Sequence, residues 1–299
     1  MGGKLIDAKG LIIGGHPSVT QALVSGLKKI DINFSLNNYR RIRSADLVIV
    51  LSGTRVLSEL ISMKKKGLVY KLWAGPNISV LPSDNNYLLC DKCIDTILTP
   101  SEWVKKKYCK INPSLNKKIL VWPSGTNLKL YPVEKIQANR SNILIYHKYR
   151  EINNFLQSII DEIRNHSFKR KISTTDIFYG NYKSKDYIYQ LSSSFLCFYL
   201  SDRPESQGLA LQESWSMNVP TAVLSQDVFS YYDFTAPASS APYITDYTGV
   251  IFHEIIEISK IIDSYFTSRK KIVSRAWVEQ HLTDSLTAQK LMAHYRKEN

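Results

Sequence analysis

Two glutamates, Glu205 and Glu213, stand eight residues apart in the run Glu205-Ser-Gln207-Gly208-Leu209-Ala-Leu-Gln-Glu213-Ser-Trp-Ser-Met-Asn218-Val-Pro220. Between them a glycine opens a stretch with the apolar spacing of an amphipathic helix. A helix start gathers backbone N–H groups that have no partner within the helix, and the aligned peptide dipoles make that end positive. Such an end suits a phosphate. If the helix begins at Gly208, Glu213 lies about 7–8 Å along it, at 1.5 Å rise per residue. A nucleoside diphosphate sugar can span these groups, with diphosphate on the Gly208–Leu209 amides, ribose hydroxyls on Glu213 and sugar hydroxyls beside Glu205. Two glutamates on a surface helix would by themselves be unremarkable. The fuller run Glu-x-x-Gly-Leu-x-Leu-x-Glu, placed after an apolar strand and followed by proline, is much more specific.

This run resembles the E-x7-E signature of retaining GT-B glycosyltransferases, those of glycosyltransferase family 4 especially, with Asn218-Val-Pro220 following. Two departures stand out. Gln207 occupies a position where that family has Phe or Trp, and Ser214-Trp215-Ser216 follows the second glutamate where the family has Ala-Met/Trp-Ala. Neither removes a carboxylate or the glycine. The resemblance implies an α/β protein of GT-B type, two Rossmann-like domains facing each other across a cleft. It also implies a nucleotide-sugar donor held by Gln207, Gly208, Leu209 and Glu213, with Glu205 at the transferred sugar, and retention at the anomeric carbon. The acceptor hydroxyl would then attack on the face from which the leaving group departs, a donor phosphate oxygen helping to take its proton. No Asp-x-Asp motif occurs in the chain. The resemblance therefore implies a metal-independent enzyme with no cofactor besides its co-substrate.

Further positions fall where the resemblance places ligand contacts. Gly14-Gly15-His16 follows the first apolar strand. Paired glycines let backbone approach a ligand, and Gly15 is assigned to the donor phosphate, although a tight strand-to-helix turn explains the pair equally well. His16 is either a base, a hydrogen-bond donor to the acceptor, or a bystander. In Tyr146-His147-Lys148-Tyr149-Arg150, the family's arginine and lysine against the donor pyrophosphate correspond to Lys148 first and Arg150 second. Their spacing departs from the usual Arg-x4/5-Lys. Either can stabilise a departing diphosphate, one as a point charge and the other as a planar fork of donors. Gly180, in Tyr179-Gly180-Asn181-Tyr182, would let the chain turn beneath the donor base. Trp73 and Asn77, in Trp73-Ala-Gly75-Pro76-Asn77, suit an acceptor-side loop, with Trp73 either a stacking face for a sugar ring or a core residue.

The chain has 299 residues, enough for two domains with large cores, and its 44% hydrophobic and 22% charged content is that of a globular protein. No apolar run reaches the roughly eighteen residues that cross a bilayer. The N-terminus has no signal-peptide pattern, and Ile6 breaks a myristoylation match, so a cytoplasmic location is expected. The net charge is +13, from 39 basic and 26 acidic residues, with runs at 64–66, 105–107, 169–171 and 269–271. Such an excess favours phosphorylated substrates and peripheral contact with an anionic membrane face. Nucleic acid is not expected as a partner, since no nucleic-acid-binding motif accompanies the charge. Cys90 and Cys93 form a C-x-x-C without a second ligand pair, so the four cysteines read as reduced structural thiols.

Apolar strands alternate with helical patterns along the chain, which points to parallel sheets. Candidate strands in the first part are 11–13, 32–36, 46–51, 68–72, 96–98 and 119–122. A helix carries Val19, Leu23, Leu27 and Ile30 on one face, and others cover 55–64 and 101–108, the last with Ser101 as N-cap. Residues 128–141 read as a linker because Tyr131-Pro132 and a polar stretch break the pattern. Strands at 142–145, 176–179, 195–200 and 221–224, with helices at 152–164, 187–192 and the signature run, make the second part. The division expected is an acceptor domain over 1–127, a linker over 128–141, a nucleotide-sugar domain over 142–275, and a C-terminal helix over 276–299 crossing back to the first domain. The expected activity is transfer of a sugar from a nucleotide sugar to a glycan or glycolipid acceptor. A nucleotide-sugar hydrolase or epimerase of the same fold, or a non-catalytic sugar-nucleotide-binding protein, remains open.

Overall fold

The computed structural model describes residues 10–13, 17–136, 139–267 and 273–298. The chain forms two compact units, one of Met1–Asn127 with Leu282–Asn299, the other of Leu128–His281.

The first unit is built on six parallel strands, β1 (Gly10–Ile13), β2 (Phe34–Leu36), β3 (Leu47–Ser52), β4 (Lys71–Asn77), β5 (Thr96–Thr99) and β6 (Ile119–Val121). They lie in the order β2-β1-β3-β4-β5-β6. Leu47 through Leu51 are all buried, as expected of a parallel strand covered on both faces. Helices α1 (Pro17–Lys29), α2 (Thr54–Lys65) and α4 (Glu102–Ile111) connect the strands, together with one irregular turn, α3 (Asp84–Tyr87). Along α1 the buried positions are Val19, Ala22, Leu23, Gly26 and Leu27, a single face at three- to four-residue spacing. Ser101 does occupy the N-cap of α4, but its hydroxyl makes no capping bond and has no partner among the described residues.

In the second unit, five parallel strands lie in the order β13-β10-β9-β7-β8. They are β7 (Asn142–Lys148), β8 (Ser173–Phe178), β9 (Ser194–Ser201), β10 (Thr221–Leu224) and β13 (Gly249–Phe252). Every residue of β9 is buried, which makes it the centre of the sheet. Helix α5 (Asn154–Lys169) starts with the Asn153 side chain accepting from the Leu156 amide at 2.8 Å and buries Leu156, Ile159, Ile160 and Ile163. Helices α6 (Ser184–Ser193), α7 (Leu209–Ser216) and α8 (Glu257–Thr267) follow. An antiparallel hairpin, β11 (Val228–Tyr231) with β12 (Phe234–Pro237), has no counterpart in the sequence reading. The final helical stretch is two helices, α9 (Ser274–His281) in the second unit and α10 (Asp284–Glu298) in the first. The stretch read as a linker lies within the second unit and buries Tyr131 and Arg140.

Strand order decides where each unit can hold a ligand. From β7 the chain goes to β8 on one side and then crosses to β9 on the other. The two connections leave in opposite directions, so a crevice opens at the carboxyl ends of β7 and β9. The first unit repeats this at β1 and β3.

Candidate active site

Lys148 ends β7 and lies in register with Ser201, which ends β9. Ile143 and Ile145 point into the core beneath α5. Strand alternation therefore puts Tyr146 and Lys148 on the opposite face. There the Lys148 ammonium forms an ion pair with Glu205 Oε1 and sits 4.9 Å from the centroid of the Tyr179 ring. Glu205 Oε1 also accepts from the Tyr199 hydroxyl at 2.8 Å, and the Glu205 amide donates to the Ser239 carbonyl at 2.9 Å. The carboxylate is thus held by two partners and its backbone by a third, in a residue only 8% exposed. Its cation answers the desolvation that would otherwise expel a buried charge.

Gly208 turns the chain into α7 with φ +80°. A Cβ there would fall 2.8 Å from Leu211 Cδ1 in a backbone region that L side chains rarely adopt, so glycine is required. Behind this turn Gln207 is buried, with its amide nitrogen 3.2 Å from Gln212 Oε1. The first turn of α7 carries no acidic side chain. The leading amides of α7, Leu209 and Ala210, have no acceptor within the helix.

The other end of α7 is electrostatically complete. Arg140 donates to the carbonyls of Asn218 at 2.7 Å and Met217 at 3.0 Å, and Arg275 donates to Ser216 at 2.7 Å. Burial pulls the Arg140 guanidinium down to about 10, still charged at neutral pH. Two cations thus neutralise the negative end of the helix dipole, while the positive end has no capping side-chain bond and no acidic residue in its first turn.

Glu213 lies one turn into α7, partly buried, and burial pushes its carboxyl up to about 7. A hydrogen bond from the Tyr131 hydroxyl works in the opposite direction. Tyrosines fill the layer beneath. Tyr146 stacks on Tyr199 at 4.9 Å with planes 9° apart, its hydroxyl is 2.8 Å from that of Tyr182, and Tyr187 donates to the Ala210 carbonyl at 2.9 Å. Burial raises all four of these phenols, so they remain neutral donors.

Lys148, Glu205, Gln207, Gly208, Leu209 and Glu213 therefore gather at one end of one sheet. Arg150 follows on the same edge, its amide bonded to Asp202 Oδ2 at 3.1 Å and its guanidinium exposed. Gly180 has φ +86° and open space where a Cβ would stand, on the exposed loop after β8. Asn77 is exposed at the end of β4 in the first unit. Trp73 is a correction. It is fully buried, with His294 and Tyr295 of α10 against its ring at 5.5 and 6.1 Å, so no face is left for a sugar. Gly15 and His16 lie outside the described residues. The sequence reading missed Tyr131, Tyr199, Arg140 and Arg275. A chain with 18 tyrosines gives no local signal for which of them reach a site. All four cysteines are free, and no helix among the described residues is long and apolar enough to cross a membrane.

No family model and no curated protein matches the sequence. Solved structures match in fold across nearly the whole chain. Anabaena Alr3699/HepE in complex with UDP-glucose aligns over 97% of this chain and 99% of its own, with a TM-score of 0.63 at 11% identity. A glycosyltransferase from Rickettsia africae ESF-5 aligns over 97% and 98%, with a TM-score of 0.64 at 14% identity. The lipopolysaccharide outer core galactosyltransferase WaaB in its apo form aligns over 97% and 100%, with a TM-score of 0.62 at 11% identity. At such identities the likeness is one of fold, and that fold is GT-B, built from two Rossmann-like domains.

Proposed function

We propose that the protein is a glycosyltransferase that moves a sugar from a nucleoside diphosphate sugar to a glycan or glycolipid acceptor. One observation carries this. A lysine, two carboxylates and an uncapped helix start converge at the crevice between β7 and β9, where a doubly wound sheet binds its ligand. The Leu209 and Ala210 amides receive the diphosphate, with Lys148 beside it and Arg150 within the same edge. Glu213 takes the ribose hydroxyls, and Glu205 faces the transferred sugar while holding Lys148 in place. Gly180 and the loop around it lie toward the base.

Breaking the bond between the anomeric carbon and the diphosphate oxygen leaves charge on that oxygen. Preorganised donors at this spot stabilise the charge as it develops, with no rearrangement during the reaction. Lys148 and the α7 amides are such donors, so the reaction needs no metal ion. The resemblance of the E-x7-E run to that of retaining enzymes implies retention at the anomeric carbon. A cytoplasmic setting supplies nucleotide sugars, and the excess positive charge suits an enzyme working at the inner face of a membrane in surface glycoconjugate synthesis.

The Anabaena relative in fold was solved with UDP-glucose, which makes UDP-sugars the first donors to test. Release of UDP, GDP or ADP from a panel of their sugars, measured with and without a glycan acceptor mixture, decides the matter. Acceptor-dependent release is expected. Equal release without acceptor identifies a hydrolase, and no binding of any nucleotide refutes the assignment.

A further inference from the structure

Tyr131 lies in the stretch whose composition reads as a linker, yet it is only 7% exposed and its phenol hydrogen-bonds the Glu213 carboxylate. Its backbone is held as well. The Tyr131 carbonyl accepts from Arg275 Nη1 at 2.6 Å, and the same nitrogen donates to the Ser216 carbonyl at 2.7 Å. One arginine thus ties the residue that touches Glu213 to the helix that carries Glu213. Among the described residues, the other titratable groups acting with Glu213 are phenols, Tyr146 on β7, Tyr182 after β8 and Tyr187 on α6. Among the described residues no cation neutralises Glu213, in contrast to Glu205 with its lysine.

We propose that Tyr131 is a positioning residue of the donor site, its hydroxyl orienting the Glu213 carboxylate for the ribose hydroxyls of a nucleoside diphosphate. This takes Glu213 as the ribose ligand, as assigned above. A single donor fixes the rotation of the carboxylate and leaves most of its acceptor capacity, since an ionised carboxyl offers about four lone-pair sites. A donor also favours the ionised form, whereas burial opposes it.

The sign of the pH effect follows. Glu213 has a carboxyl raised to about 7 and accepts from both ribose hydroxyls only when ionised. Nucleotide affinity therefore rises as pH climbs through about 7 and levels off above it. Removing the Tyr131 hydroxyl raises that carboxyl further and displaces the rise to higher pH.

Calorimetric titration of the full chain with UDP, and with GDP and ADP in parallel, from pH 6 to pH 9 tests this on wild type, Y131F and E213Q. E213Q shows only the titration of the nucleotide's own phosphate and serves as the baseline. Y131F is expected to bind about tenfold more weakly at pH 7, the size of one hydrogen bond to a charged group. Relative to E213Q, its affinity midpoint lies at higher pH than that of wild type, and its deficit shrinks by pH 9. The midpoint belongs to the folded fraction, so a variant that is merely less stable leaves it in place. A wild-type midpoint that Y131F does not move overturns the role of Tyr131 while the donor site stands. Absence of nucleotide binding by wild type overturns both.

Discussion

Glu205 and Glu213 are both glutamates of one short motif, but their surroundings give them different work. Glu205 is paired with Lys148, bonded by Tyr199 and anchored through its own amide to Ser239. Glu213 has no cation among the described residues and a carboxyl raised to about 7 by burial. An ion-paired carboxylate beside the reacting sugar acts on turnover, and one awaiting ribose hydroxyls acts on binding. E205A is therefore expected to lower kcat by about 100-fold, the scale of removing one preorganised electrostatic group, with nucleotide Kd changed by less than about threefold. E213A is expected to weaken nucleotide binding by about tenfold or more, with a smaller change in kcat. Steady-state kinetics beside calorimetry separates the two, and equal effects of both variants on Kd would remove the division of labour. The two carboxylates and the glycine were legible in the sequence because their spacing is local. The lysine that pairs with Glu205 lies 57 residues away, and only the sheet register brings it there. Tyr131 was invisible for another reason, since its neighbours Pro132 and a polar run resemble a linker.

At the scale of elements, α7 works as a polarised device. Arg140 and Arg275 saturate its carboxyl end, Trp215 donates to Thr221 Oγ1 at 3.0 Å, and the amino end carries no side-chain capping bond. Gly208 turns the chain into that end. G208A forces a side chain into a left-handed backbone against Leu211, a strain of about 1–2 kcal/mol. A melting-temperature drop of roughly 2–8 °C is expected, together with weaker nucleotide binding, because relief of the strain turns the leading amides away. Differential scanning fluorimetry with and without nucleotide reads both effects, and unchanged ligand stabilisation in G208A would separate the glycine from the phosphate site. Strand and helix positions followed from apolar runs, since parallel strands buried on both faces leave continuous hydrophobic segments. The hairpin β11–β12 did not, because Phe229, Tyr231, Tyr232 and Phe234 give it no clean alternation.

Over the whole molecule, the chain returns to its first unit to complete it. Helix α10 packs on α1, where Gly26 leaves room. A Cβ there would sit 2.2 Å from the Asp284 carbonyl oxygen. Lys29 pairs with Asp284 at 2.7 Å, Trp122 donates to the Thr287 carbonyl at 3.0 Å, and Trp73 is capped by His294 and Tyr295. G26V should therefore destabilise the first unit by about 3 kcal/mol or more, a cost of overpacking at a helix crossing. Soluble yield and thermal melting would register it. A melt unchanged from wild type would mean that α10 can shift without loss. The sequence placed a helix over this region, but the break at 282–283 that sends it to another unit is set by contacts with Thr126.

The most direct measurement is a crystal structure of the protein grown with the nucleoside diphosphate it binds best. The diphosphate is expected against the Leu209 and Ala210 amides with Lys148 beside it, and the ribose on Glu213. A nucleotide bound elsewhere, with the start of α7 empty, would contradict the account.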